Sequence, residues 1–284
     1  MNLKLLLANT ARAAFSVALA LTFFAFTTAA AQADSSLDAA IAGEHRSAEN
    51  KARDQYRHPK ETLEFFGFRP DMTVVEIWPG AGWYTEILAP ALKEEGKLFA
   101  AQYSVNPKAS YQRRYFGEFL AKLGSNAKVY GDVEVIHFYF PYQMNLGPAD
   151  SVDLVVTFRN AHNWVTGQGT DAHFGPMAFK AIFDVLKPGG VLGLVDHRWG
   201  DPANEDPRAE NGYISEQRII DFATAAGFEL AGRSEINANP KDTRDHPQGV
   251  WTLPPTLATG DASPDKYLAI GESDRMTLKF VKPE

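Results

Sequence analysis

Residues Thr73-Val74-Val75-Glu76-Ile77 form a β-branched run that Trp78-Pro79-Gly80-Ala81-Gly82 closes at once. A run this short suits a buried strand, and Pro-Gly punctuates its end. The next stretch, Ala81 to Leu92, sets Ile87, Leu88, Ala91 and Leu92 on one helical face. A strand that turns through glycines into a helix exposes unpaired backbone N–H groups at the helix N-terminus. Such a place suits the carboxylate or phosphate of a nucleotide-like ligand. Gly80 and Gly82 have no Cβ to block a ligand from the main chain. The same pattern also serves as a purely structural strand-turn-helix, so the rest of the chain has to decide.

Downstream, strand-like and helix-like stretches alternate. Gly96 to Gln102 reads as a second strand and Tyr111 to Leu123 as a helix stopped by Gly124. A third strand falls within Val129 to Phe140, in one of two registers: Lys128 to Tyr130 or Val133 to Phe138. Ser151 to Phe158 is a fourth strand, Phe174 to Leu186 a helix, and Val191 to Val195 a fifth strand. Ser215 caps a helix that reaches Ala226, Phe228 to Ile236 is a sixth strand, and Arg275 to Val281 closes the chain. This alternation predicts an open, mostly parallel sheet covered on both faces. Ligands of such sheets sit beyond the carboxyl ends of the strands, where the winding reverses.

The N-terminal portion divides in two. Lys4 and Arg12, an apolar Ala13 to Phe26 and Ala31-Gln32-Ala33 together read as a signal peptide over residues 1–33. The expected address is therefore outside the cytoplasm, periplasmic or secreted, with no stable membrane anchor after cleavage. Cleavage removes two basic and no acidic residues, taking the formal net charge from −7 to −9. An acidic surface argues against nucleic acid as a partner. The chain has no cysteine, which excludes disulfides and lipid attachment through a thiol.

Residues 34–72 read as a helical cap. Arg46, Asn50, Arg53 and Arg57 follow i, i+4, i+7, i+11 spacing over a helix or two from Ser36 to Tyr56. This stripe is either a solvated face laced with salt bridges or a set of substrate-binding arginines selecting an anion.

The ordered motifs of residues 73–284 resemble those of class I S-adenosylmethionine-dependent methyltransferases. Glu76-x-x-x-Gly80-x-Gly82 matches the first motif, Val152 to Val155 the fourth strand, and Leu186 to Gly190 the turn before the fifth. Arg275 to Phe280 resembles the antiparallel last strand. Arg57-His58-Pro59, Arg159-Asn160-Ala161-His162, Val195-Asp196-His197 and Asp274-Arg275-Met276 are similar to a group of exported, predicted bacterial methyltransferases. The resemblance implies an α/β, doubly wound, mostly parallel seven-stranded sheet with helices on both faces. It also implies S-adenosylmethionine as cofactor and a small-molecule or peptidic methyl acceptor. Two departures stand out: Trp78 occupies a customary glycine, and Gln102 occupies the customary ribose-binding acid.

On that resemblance Glu76, Trp78, Pro79, Gly80, Gly82, Tyr84, Gln102, Arg159 and Asn160 are the expected cofactor-binding residues. Trp78, Trp83 and Tyr84 ring the loop, and one of them can face a sulfonium, with Trp83 assigned to packing. His162 and His197 follow strands four and five and are the candidate catalytic bases. Asp196 is adjacent to His197, although neighbouring side chains on an extended segment point apart. Methyl transfer needs chiefly alignment, worth roughly 7–11 kcal/mol. No metal is expected: His45, His58, His137, His173 and His246 show no ligand spacing. The Pro- and Gly-rich Asn237 to Asp274 stretch is either a lid over the acceptor site or a packing arm. Two rivals remain: a nicotinamide-dependent oxidoreductase, which lacks its Gly-x-Gly-x-x-Gly turn here, and a non-catalytic binding protein on the same fold.

Overall fold

The computed structural model describes residues 36–165 and 174–284. The expected signal peptide, residues 1–33, and His173 lie outside the described residues. Among the described residues no helix is long and apolar enough to cross a membrane.

The strands are β1 (Thr73–Ile77), β2 (Lys97–Gln102), β3 (Glu134–His137), β4 (Val152–Phe158) and β5 (Leu186–Trp199). They are followed by β6 (Ile214–Ser215), β7 (Glu229–Ser234), β8 (Pro247–Val250) and β9 (Arg275–Val281). The main sheet runs β3-β2-β1-β4-β5-β9-β7, with β6 paired to the end of β5. β1 to β5 pair in parallel, and β9 is antiparallel to both β5 and β7. The expected seven-stranded plan holds, and the open register of β3 resolves to Glu134–His137. The winding reverses between β1 and β4, so their carboxyl ends open a crevice.

Successive residues of β1 and β4 point to opposite faces, and each face has its own core. Val74 and Val156 face Leu63 and Phe66 of the Pro59–Phe66 helix and Ile87 and Leu88 of the Thr85–Leu92 helix. Val75 and Val155 face Phe119, Phe179, Ile182 and Ile219 from three helices on the other side. These are Ser110–Ser125, Gly175–Val185 and Glu216–Ala226.

The N-terminal cap is more finely divided than the expected helix or two from Ser36 to Tyr56. It is broken into helical residues 36–42, Ala48–Lys51, Asp54–Arg57 and Pro59–Phe66. Ser47 starts the second piece by accepting from Asn50 N, and His58 ends the third in the left-handed region, φ 39°. Without a continuous helix the three arginines share no single face: Arg46 turns to Asp54, while Arg53 and Arg57 meet at Glu272. The Ala81 to Leu92 helix likewise starts late, at Thr85, because Gly80 and Gly82 hold φ of +60° and +83° in the turn before it.

The cap is keyed to the sheet through Gly193 of β5. A Cβ there would lie 2.4 Å from the Phe66 ring. Gly193→Ala is therefore expected to cost about 1–3 kcal/mol by overpacking. Gly117→Ala, in the middle of the Ser110–Ser125 helix with open space at the Cβ, should gain roughly 0.5–1 kcal/mol. Urea midpoints at constant m-value check both signs, and equal midpoints for the two variants would refute the keying.

Candidate functional site

A cavity of about 910 Å³ opens at the carboxyl ends of β1 and β4. This is the size range of small-molecule and cofactor sites. Its floor is the β1 turn, where Trp78, Pro79, Gly80 and Ala81 reach the surface. A Cβ on Gly80 would meet nothing within 4 Å, so the main chain there faces open space. Trp78 is a wall and not a plug. Its Nε1–H donates to Phe138 O at 2.7 Å, and its ring packs against Tyr103, Phe140 and Trp164.

Two amide side chains hold this turn from behind. Asn160 Nδ2 donates to Ile77 O at 2.9 Å and also lies 3.2 Å from Trp78 O. Gln102 Nε2 donates to Gly80 O at 2.8 Å, while its Oε1 accepts from Tyr103 N. Gln102 is fully buried and does not line the cavity. Its expected place at a ribose is thus corrected: it supports the turn. A carboxylate at the same spot would set negative oxygen against the Gly80 carbonyl, which only accepts.

Three further expected cofactor residues also lie away from the cavity. Glu76 sits beneath the turn, where its Oε2 accepts from the Thr85 hydroxyl at 2.6 Å. Burial pushes its carboxyl up to about 7, opposed by the Thr85 hydrogen bond and by Lys122. Tyr84 stacks on Phe158 and donates its hydroxyl to Arg57 O at 3.2 Å. Gly82 packs against Phe119 and Lys122 of the next helix, so close packing is what its missing side chain serves. Trp83, assigned to packing, does line the cavity, with the Arg46 and Arg57 guanidinium groups 5.0 and 4.6 Å from its ring centroid.

The candidate bases converge. His162 Nδ1 lies 2.8 Å from Asp196 Oδ1, and its backbone N donates to Asp196 Oδ2 at 2.8 Å. A carboxylate only accepts, so Nδ1 carries the proton and Nε2 is the ring's acceptor, taking a hydrogen bond from the Asn163 amide. Asn163 Nδ2 stands 2.9 Å from that Nε2. Asp196 therefore orients the imidazole from the neighbouring strand, not that of adjacent His197, as the alternation of an extended segment requires. The His197 ring lies 5.3 Å from that of His162, and its Nδ1 meets Ser273 Oγ at 2.5 Å. Burial holds His197 well below the usual histidine range, reinforced by His162 and by Arg275, Arg159 and Arg57, so it is neutral.

Metal-ligating atoms of His162, Asp196 and His197 come within 4.8 Å of one another. Sequence spacing missed this group because it joins the short helix His162–Val165 after β4 to β5. Both Asp196 oxygens already accept hydrogen bonds, including one from His197 N at 2.8 Å, which suits a carboxylate that orients an imidazole.

Of the arginine stripe, Arg53 and Arg57 line the cavity and Arg46 does not. Arg46 is turned away because Asp54 pairs with it at 2.7 Å and Glu86 lies 3.6 Å from its Nε. Arg159 completes the wall from the end of β4, at φ +63°. A non-glycine residue held there stores about 1–3 kcal/mol of strain, as does Trp78 at φ +49°. The long Asn237 to Asp274 stretch is both packing arm and cover. Asp242 anchors it to Tyr213 and ties its own His246 and Asp274 N together, while Trp251, Pro254 and Pro255 line the cavity.

This sheet order, with its antiparallel β9 and a cavity over the β1 turn, is the Rossmann-like fold of S-adenosylmethionine-dependent methyltransferases. A solved S-adenosylmethionine-dependent methyltransferase from Aquifex aeolicus superposes with a TM-score of 0.51 at 18% identity, over 81% of this chain and 93% of its own. Geranyl diphosphate C-methyltransferase from Streptomyces coelicolor A3(2), in complex with Mg2+, geranyl diphosphate and S-adenosyl-L-homocysteine, gives 0.53 at 12% identity over 86% and 87%. The [4+2]-cyclase SpnF gives 0.53 at 16% over 85% of each chain. At these identities the likeness establishes the fold. No protein-family model matches the chain, and no curated protein matches it.

Glu76 has a measurable signature. Its folded pKa, about 7, is raised above the ordinary 4.5, so its stabilising effect is full below the latter value and is lost as pH rises to 7. Glu76→Gln is expected to flatten the fall in stability across that window, by up to about 3 kcal/mol. Urea midpoints at roughly pH 5 and pH 8 check this; an unchanged slope in the variant would show that Glu76 is ionised throughout.

Proposed function

We infer that this chain binds S-adenosylmethionine over the β1 turn and methylates a small-molecule or peptidic acceptor. The observation that carries this reading is the coincidence, in one cavity, of bare main chain at Gly80 and an imidazole oriented by Asp196. The fold likeness to methyltransferases supports it. The residues fit the cofactor: Trp78 and Tyr103 give flat apolar walls, Gly80 leaves room for close approach, and the volume suffices.

When bound, S-adenosylmethionine supplies a methyl carbon made electrophilic by its sulfonium, whose sulfur departs with the C–S electron pair. The chain's own part is to exclude water, align the acceptor and take its proton. With the Asn163 amide displaced from it, His162 Nε2 accepts the proton of an acceptor hydroxyl or amine, and the positive charge it gains is offset by Asp196. Such a base contributes about 10²–10⁴-fold. His197, held neutral, avoids a second positive charge beside the first.

We further propose export. The basic n-region, apolar stretch and Ala31-Gln32-Ala33 support it. The expected outcome is a protein recovered outside the cytoplasm with its N-terminus at Asp34; recovery in the cytoplasm with Met1 retained would sink the assignment.

Calorimetric titration of the mature protein tests the activity. S-adenosylmethionine and S-adenosylhomocysteine should both bind while NAD does not. Gly80→Val, which puts a branched side chain at φ +60°, should abolish both while circular dichroism stays native. With any acceptor that is methylated, His162→Ala should lower turnover by about 10²–10⁴-fold and leave S-adenosylhomocysteine affinity within about threefold. Silence toward both sulfur ligands would favour the non-catalytic alternative.

A further inference from the structure

One wall of the cavity carries an imbalance of charge. Four guanidinium groups gather around one carboxylate. Glu272 takes Arg53 Nε at 2.7 Å and Arg57 Nε at 3.3 Å, and it also pairs with Arg275. Arg159 joins the same electrostatic group, since Glu272 and Arg275 act on it directly. Glu272 is nearly inaccessible and sits behind the arginines, whereas Arg53, Arg57 and Arg159 face the cavity.

The wall is also short of acceptors. Arg57 Nη2 and Arg53 Nη2 are buried with no hydrogen-bond partner, and Arg57 is only 3% exposed. Among the described residues no hydrogen bond or ion pair holds the Arg159 side chain, which its left-handed backbone projects from the end of β4. Arg57 cannot swing away, because it is stacked on Trp83 and tethered to Glu272. Burial and mutual repulsion pull Arg57 well below the ordinary arginine range and Arg159 down to about 10. Buried cations with unused N–H groups mark a place where an anion is missing. S-adenosylmethionine sets an ammonium and a sulfonium against its single carboxylate, so the donor brings no net negative charge to balance this wall.

We propose that Arg53, Arg57 and Arg159 receive an oxyanion, carboxylate or phosphate, carried by the methyl acceptor itself. The acceptor is then an organic acid with a hydroxyl or amine at His162, which leaves β4 three residues after Arg159. Guanidinium forks suit planar and tetrahedral oxyanions alike. Tyr115 and Trp251 in the walls suit an aromatic body between the two polar ends. The acceptor role rests on the methyltransferase reading; the oxyanion site itself does not.

The test is calorimetry on the full mature chain with hydroxybenzoate, phenyl phosphate and the neutral hydroxybenzamide, with and without S-adenosylhomocysteine. At least one anion should bind roughly tenfold or more tighter than the amide, and the tighter of the two names the oxyanion. Arg159→Asn keeps a residue that tolerates positive φ. It should weaken that anion about tenfold and change S-adenosylhomocysteine affinity less than about threefold. Arg53→Gln, nearer the rim, should act in the same direction if the first variant folds poorly. Equal binding of anions and amide, or no anion binding up to about millimolar, overturns the proposal. So does an Arg159→Asn variant that loses S-adenosylhomocysteine and keeps the anion, because the wall then serves the methionine carboxylate. Anion binding that depends on Arg159 with no S-adenosylhomocysteine binding would retain the oxyanion site and discard the methyltransferase reading.

Discussion

Everything at the mouth of the sheet depends on how the last carbonyls of β1 are satisfied. A strand that stops in a turn leaves main-chain oxygens without ladder partners, and a buried orphan costs about as much as a lost hydrogen bond. Here Asn160 reaches from the end of β4 to Ile77 O and Trp78 O, and Gln102 reaches from the end of β2 to Gly80 O. The turn is thus clamped from both neighbouring strands and from its protein side only. That leaves the outer side of Pro79, Gly80 and Ala81 bare, which is what a ligand needs. The same clamp holds Trp78 at positive φ, where it becomes part of the wall.

Around this fixed turn the cavity is chemically asymmetric. One part is aromatic and nearly neutral, with Trp78 and Tyr103. Another holds the His162–Asp196 pair, and a third holds Arg53, Arg57 and Arg159 with Glu272 behind them. Because the arginines bear on His197 as well as on each other, the charge state of an occupant beside them affects more than one wall. Burial first, and these cations after it, keep His197 neutral.

Fold and chemistry remain separable. A methyltransferase and a [4+2]-cyclase superpose on this chain equally well, so the sheet alone does not select a reaction. What argues for a proton acceptor and an acidic substrate is the particular set of side chains at the crevice. The arm from Asn237 to Asp274 contributes to this directly, since it supplies Glu272, Ser273 and Trp251.

The sequence by itself determined the β1 turn, the alternation of strands and helices, and a closing strand at Arg275 to Val281, whose antiparallel direction only the family resemblance implied. Each of these is local: periodicity, punctuation by glycine and proline, and caps such as Ser215 act within a few residues. It also brought Arg53, Arg57, Arg159, His162 and His197 to notice, through their places near strand ends or on the cap. Tertiary structure alone decided which of them meet. Asp196 serves His162, 34 residues earlier, and Glu272 serves Arg53, 219 residues away. It also withdrew Arg46, Tyr84, Glu76 and Gln102 from the cavity, because each found a nearer partner in the packed interior. Such pairings depend on which strands become neighbours, and no window of sequence shorter than the whole sheet contains that information.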